Sequence, residues 1–145
     1  MKIVVQRVSE ASVTIEGKIN GRIEKGLLVL VGFTDDDNEE KVRWICKKLL
    51  GLRIFSDDND KMNLSVLDVA GGILVISNFT LYGDSNKGNR PNFTAAARPE
   101  TAIPLYDFMI QELRKSEIQV ETGVFGAMMD IHLTNDGPVT LVLER

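Results

Sequence analysis

Ser77, Asn78, Phe79 and Thr80 gather two hydroxyls, an amide and an aromatic ring within four residues, directly after the aliphatic run Ile73-Leu74-Val75-Ile76. A run of that kind reads as a strand covered on both faces, and Gly83-Asp84 turns the chain just beyond it. Hydrogen-bonding groups that converge at the end of a strand are a common way for a scaffold to meet a substrate. The plainer alternative is that Ser77 and Thr80 only tie down the turn. Thr80 as a covalent nucleophile needs an activating base. The sole histidine, His132, shares a strand face with Asp130 and Thr134 and reads as a solvent-facing residue rather than that base.

Other stretches carry groups suited to binding. Lys87, Gly88, Arg90, Pro91 and Phe93 combine cations for phosphate, a glycine that permits close approach and an aromatic for stacking. Basic loops with a proline are common, so this signal is weak alone. Asn135-Asp136-Gly137-Pro138 begins as a turn, yet its proline removes a backbone donor and restricts the glycine. Such a unit presents carbonyl oxygens without a competing N–H. Arg7, flanked by Ile3 and Val5 on its face, is read as an edge arginine in solvent, the alternative being a guanidinium held by a specific acceptor. Ser56 to Lys61 resembles a calcium loop only superficially, lacking the central glycine and closing glutamate, and is read as a solvated turn.

Composition narrows the classes. The chain has 145 residues, 43% hydrophobic and 26% charged, which suits one domain spanning 1–145 with a sizeable core. One cysteine excludes an internal disulfide, and with one histidine the usual zinc ligands are lacking, so a metal site would have to be all oxygen; no metal ligand set and no cofactor is assigned. A net charge of -4 argues against a protein that coats nucleic acid: DNA is not an expected partner, and any RNA contact is local. No apolar run reaches eighteen residues and no leader pattern stands at Met1-Lys2-Ile3, so a cytoplasmic location without membrane contact is expected.

The elements that position these residues follow from periodicity. Lys2 to Val8 and Ala11 to Ile15 alternate and read as two paired strands, broken at Ser9-Glu10. Gly26 to Gly32 is a continuous apolar run, hence a central strand. Thr34 to Glu40 supplies caps and acidic residues for a helix running to about Leu50, with Val42, Ile45, Cys46 and Leu49 on its buried face. Cys46 is then a core thiol. Gly51 to Phe55 is a short strand candidate. Pro99 to about Lys115 is the second helix, with Pro104 acceptable only in its first turn. Ile118–Glu121, Met128–Thr134 and Val139–Leu143 read as three closing strands.

Taken together, Arg53-Ile54-Phe55-Ser56-Asp57, Lys61-Met62-Asn63, the Ser77 to Thr80 stretch, Lys87 to Phe93, Thr122 to Ala127 and Asn135 to Thr140 resemble the D-aminoacyl-tRNA deacylase family, in order along the whole chain. The resemblance implies a homodimeric, metal-independent hydrolase that cleaves the ester joining a D-amino acid to the 3' end of tRNA. It also implies hydrolysis of glycyl-tRNA mischarged on tRNA(Ala). The family's Ser-Gln-Phe-Thr motif lines the ester pocket and falls here at Ser77, Asn78, Phe79 and Thr80, with asparagine shortening the amide by one methylene. Its Gly-Pro motif, with a cis peptide bond, reaches in from the partner subunit to read chirality and falls at Gly137 and Pro138. Arg7 and Met129 resemble residues that brace it, and Lys87, Arg90 and Phe93 are the candidate tRNA contacts. An aminoacyl ester is already activated, so a positioned water with backbone N–H groups around Phe79 and Thr80 as oxyanion donors suffices, the tRNA's terminal 2'-hydroxyl helping. The alternatives are Thr80 as nucleophile, or a non-catalytic RNA or nucleotide binder on the same fold. The expected architecture is α+β, with mixed β-sheets curled into a barrel-like arrangement and two main helices outside. Barrel closure and dimer come from the resemblance.

Overall fold

Two apolar runs, Gly26–Gly32 and Gly72–Ser77, form strands β3 and β6 and pair in parallel at the centre of a six-stranded mixed sheet in a computed structural model that describes residues 1–145. Parallel neighbours need a long crossover. Helix α1, Glu39–Gly51, lies between β3 and β6; helix α2, Pro99–Arg114, lies between β6 and β7, Val120–Thr122, which also pairs with β6 in parallel. Asn38 caps α1 by accepting the Lys41 N–H at 3.0 Å, with Glu39 and Glu40 in the first turn.

Both faces of β3 and β6 are covered, which explains their unbroken hydrophobicity. Leu27, Val29, Val31, Ile73 and Val75 pack against Val42, Ile45 and Leu49 of α1 and Leu105, Met109 and Leu113 of α2. Leu28, Leu74 and Ile76 point the other way, onto Val8, Val13 and Ile23 inside the curled sheet. Cys46 is buried among the first group, and burial, with Glu112 adding to it, pushes its thiol up to about 12.

Lys2 to Val8 and Ala11 to Ile15 are not two paired strands but one strand, β1, Lys2–Ile15. Its first half pairs with β3 and its second half with β2, Lys18–Ile23, so the polar pair Ser9-Glu10 marks a change of partner rather than a turn. The turn is Glu16-Gly17, where both residues have positive φ, 49° and 76°, as a two-residue hairpin between Ile15 and Lys18 requires. The short strand sought at Gly51 to Phe55 is only β4, Phe55–Ser56, because α1 runs through Gly51; β4 pairs with β5, Met62–Leu64. Asp57 folds the polar turn between them by accepting the N–H groups of Asn59 and Lys61. Pro104 stands in the second turn of α2, exposed, and removes the N–H that would have donated to the carbonyl of Glu100. The two strands expected at Met128–Thr134 and Val139–Leu143 are one strand, β8, which begins only at Asp130 and runs Asp130–Glu144, antiparallel to β1.

The sheet nearly closes on itself. No ladder joins β2 to β7, but Asn20 Nδ2 donates to Thr122 O at 2.7 Å and Gln119 Nε2 to Arg22 O at 2.9 Å. Side chains thus seal the seam of a barrel-like α+β fold with both helices outside. No helix is long and apolar enough to cross a membrane.

Candidate active site

Ser77 ends β6 in register with Val31 of β3, and the Asn78 N–H donates to Val31 O at 2.7 Å. The chain then enters a 3₁₀ turn, Phe79–Tyr82, capped by Asn78. Gly32 makes the turn's approach possible: a Cβ there would lie 3.0 Å from Asn78 O and 3.2 Å from the Tyr82 ring. From α2, the Tyr106 hydroxyl donates to Val75 O at 2.9 Å and fixes β6 just before its end. Burial, with Asp107 adding to it, raises that phenol's pKa, so it stays a donor.

Asn78 sets the polarity of the stretch. Its Oδ1 accepts the Thr80 backbone N–H at 3.1 Å and the Thr80 hydroxyl at 2.5 Å. A backbone N–H can only donate, so it fixes which end of the amide faces Thr80. The hydroxyl must then donate to the same oxygen, which leaves its lone pairs facing outward as acceptors. Thr80 N–H is thereby engaged and is not a free oxyanion donor, in contrast to the sequence reading. The Phe79 N–H stands at the first position of the turn, where a helix start leaves donors without an internal partner.

These four residues form one wall of a cavity of about 450 Å³, within the range of small-molecule sites. Phe125 to Met129, Val31 and Ile76 line the same cavity. Met129 enters over Gly123, where an added Cβ would come within 2.5 Å of its sulfur. No ionisable side chain lines the cavity, so no general base is in place. No three His, Cys, Asp or Glu side chains stand close enough together to hold a metal.

Phe79 and Phe93 meet edge to face at the rim, ring centroids 5.2 Å apart. Asp84 and Asn92 exchange backbone hydrogen bonds, 2.8 Å each way, and pinch off a loop that holds Lys87 and Arg90 exposed and free of ion pairs. The cations are therefore tethered to the cavity rim through Phe93.

Gly137 and Pro138, joined by a cis peptide bond, are exposed and do not line this cavity. A single chain does not bring them together with Ser77 to Thr80. Arg7 does not sit in solvent as the edge reading had it: it is 8% exposed. Its Nη1 donates to Ile54 O at 2.6 Å, its Nη2 lies 2.8 Å from where a Gly137 Cβ would be, and its Nε lies 2.9 Å from Asp136 Oδ2. That last contact is a charge pair and not a directed hydrogen bond, since Nε has no aligned acceptor. Gly137 has φ +120°, a region open to glycine and closed to most side chains. Tyr106, which fixes β6, and Asn135, whose Nδ2 donates to Arg7 O and Val139 O, are residues that pattern reasoning passed over. Asn135 had a visible signal, the turn dipeptide, but its side-chain bonds depend on the return path of β8.

The family profile described as "D-Tyr-tRNA(Tyr) deacylase" matches residues 4–144. The D-aminoacyl-tRNA deacylase of Koribacter versatilis (strain Ellin345) is 57% identical over 144 residues, 99% of this chain and 97% of that one. The D-aminoacyl-tRNA deacylase of Brevibacillus brevis (strain 47) is 58% identical over 99% of both chains. Among solved structures, the c-Myc DNA Unwinding Element Binding Protein superposes with TM-score 0.93 at 41% identity, covering 100% of this chain and 99% of that one. A probable eukaryotic D-amino acid tRNA deacylase superposes with TM-score 0.84 at 18% identity over 98% and 97% of the two chains, a likeness of fold.

Proposed function

The chain belongs to the D-aminoacyl-tRNA deacylase family and is a hydrolase of the D-aminoacyl-tRNA ester, and on that premise we propose that it acts by placing a water against the ester carbonyl in the Ser77 to Thr80 cavity. The observation that carries this reading is that the cavity holds hydrogen-bonding groups at one strand end and no ionisable side chain. An activated ester needs orientation and oxyanion stabilisation more than a strong base. The Phe79 N–H is the oxyanion donor, and the Thr80 hydroxyl, its proton committed to Asn78, accepts from the water or from the substrate. The tRNA's terminal 2'-hydroxyl assists.

Chirality is read in a homodimer, by Gly137 and Pro138 of one copy entering the cavity of the other. Support for this is that the pair is exposed on its own chain, away from its own cavity, while Met128, 92% exposed, and Val124, 47% exposed, leave an apolar rim uncovered. The Gly-Pro backbone accepts the substrate's α-ammonium and blocks the side-chain direction of an L residue. Lys87, Arg90 and Phe93 take the tRNA end. One solved neighbour is named for binding DNA, but a net charge of -4 supplies little phosphate neutralisation here. The location is cytoplasmic, where charged tRNA is found.

The experiment is release of free amino acid from matched D- and L-aminoacyl-tRNA at substoichiometric protein. Many turnovers of the D form and near-silence on the L form are expected. A non-catalytic RNA binder would protect the ester or leave it unchanged. Sedimentation belongs beside it: a fully active monomer at assay concentration would remove the composite site.

A further inference from the structure

The ladder between strands β8 and β1 is interrupted twice, and the larger interruption is on the β8 side, opposite Arg7. Gln6 pairs with Thr140 and Val8 with Asn135, so Asp136, Gly137, Pro138 and Val139 stand opposite Arg7 alone. An excursion of this kind strands backbone acceptors that a ladder would have satisfied. Asn135 Nδ2 takes two of them, donating to Arg7 O and to Val139 O at 3.0 Å each. Its Oδ1 accepts the Thr140 hydroxyl at 3.3 Å, and that hydroxyl accepts from Gln6 Nε2 at 3.3 Å. Two carbonyl oxygens can only accept, so the amide's orientation is fixed by its surroundings.

We infer that Asn135 is a positioning residue for chiral discrimination, its side-chain amide setting where the Gly137-Pro138 backbone stands. The inference rests on the reading that this backbone is the chirality filter. Its geometry joins base and tip of the excursion. Asn135 holds the carbonyl of Arg7 at the base, and the guanidinium of the same Arg7 lies under Gly137 at the tip. A shift at Asn135 therefore moves support and filter together. Val139, held through its carbonyl, is buried and anchors the far end. Asn135 touches none of the cavity-lining residues' chemistry itself and acts only through the placement of residues 136 to 139.

The test compares kcat/KM for D-alanyl- and L-alanyl-tRNA in the full-length protein as wild type, Asn135→Asp, Asn135→Ser and Pro138→Ala, with thermal melts of each. Asn135→Asp keeps the shape but sets a carboxylate oxygen against two carbonyl oxygens. Asn135→Ser keeps one donor. A misplacement of about 1 Å costs roughly 100-fold in a positioned site, so the D-to-L ratio is expected to fall roughly tenfold to hundredfold in Asn135→Asp, with the L form gaining, and by less in Asn135→Ser. If Asn135→Asp does not fold, Asn135→Ser is judged on the same ratio. A folded variant that keeps the wild-type ratio, or loses D and L activity in equal proportion, overturns the inference and leaves Asn135 a structural residue only. Pro138→Ala separates the two levels. A changed ratio there with an unchanged ratio at Asn135 rejects this inference alone, while an unchanged ratio in Pro138→Ala rejects the filter reading on which it rests.

Discussion

Asn78 holds Thr80 by two bonds to one oxygen, the backbone N–H at 3.1 Å and the hydroxyl at 2.5 Å. A hydroxyl whose proton points at an amide oxygen is not being activated, because an amide does not accept that proton chemically. Thr80→Ala should therefore keep measurable turnover, lowered by up to roughly 100-fold if the hydroxyl only positions water. Thr80→Val adds bulk and should be worse. Steady-state release of amino acid measures both, and an aminoacyl ester trapped on Thr80 would promote the nucleophile reading instead.

Arg7 is the second relationship with a measurable consequence. Its guanidinium is nearly buried, while its acidic partner Asp136 is about half exposed, so solvent weakens the ion pair. The bond to Ile54 O and the packing under Gly137 remain. Lysine keeps the charge but cannot span these partners with one planar fork. Arg7→Lys should cost about 1–3 kcal/mol, seen as a lower midpoint in urea. A midpoint equal to wild type would mean that the fork holds nothing.

How much of this was legible in the chain varies with the range of the interaction. Ile73 to Ile76 and Leu27 to Val31 were readable as central strands because both faces are covered and the apolar run records it. Cys46 fell on a buried helix face by its spacing alone. Strand β2 was missed although Glu16-Gly17 is a two-residue hairpin turn, since Lys18 to Ile23 carries too few apolar residues to stand out. Arg7 misled because a guanidinium between Ile3 and Val5 has no local partner; Ile54 and Asp136 arrive from distant segments. The wall of the cavity was visible in Ser77 to Thr80. That Asn78 consumes the Thr80 N–H was not, because it depends on a 3₁₀ turn rather than a continuing strand.

The buried thiol makes an alkaline prediction. Cys46 is pushed from 9.0 up to about 12, chiefly by burial, so between those values the unfolded chain has lost a proton that the folded chain keeps. Stability then falls as pH rises above 9, by about 1.4 kcal/mol per pH unit at most for one group. Tyr82, raised to about 12 by burial and by Asp37 and Glu144, acts in the same direction. Denaturant melts of wild type and Cys46→Ala from pH 8 to 10.5 should converge as pH rises. Parallel curves would show that Cys46 ionises equally in both states.

Lys87 and Arg90 stand on a loop pinched by the Asp84–Asn92 bridge and tied to the rim by Phe93. Neutralising both as Lys87→Gln and Arg90→Gln should raise KM and flatten its salt dependence by about 1.4 in the log–log slope, at roughly 0.7 per contacted phosphate of a single strand. The kcat should change little, since neither residue lines the cavity. An unchanged slope would place the tRNA on another face.

The last prediction separates exclusion of the wrong enantiomer from recognition of the right one. The cavity is lined by Ser77 to Thr80 and by Phe125 to Met129, among others, and offers no charged group to grasp a side chain. In the proposed composite site, the partner copy's Gly-Pro pair would bring a backbone with no side chain at the first residue and no N–H at the second, a backbone that could accept an α-ammonium and crowd what lies beside it. With the ammonium and the ester carbonyl both fixed in that site, one direction at Cα would meet this backbone and the other would be open. Under the proposed filter a D side chain would take the open direction and an L side chain would collide, which is discrimination by a repulsive element alone. Glycine has nothing to collide, so glycyl-tRNA should be hydrolysed at a rate nearer the D-alanyl than the L-alanyl form. The three esters on one tRNA, under one condition and one protein concentration, decide it. Glycyl-tRNA as resistant as the L-alanyl form would mean that the D side chain itself supplies binding, and exclusion would have to be abandoned.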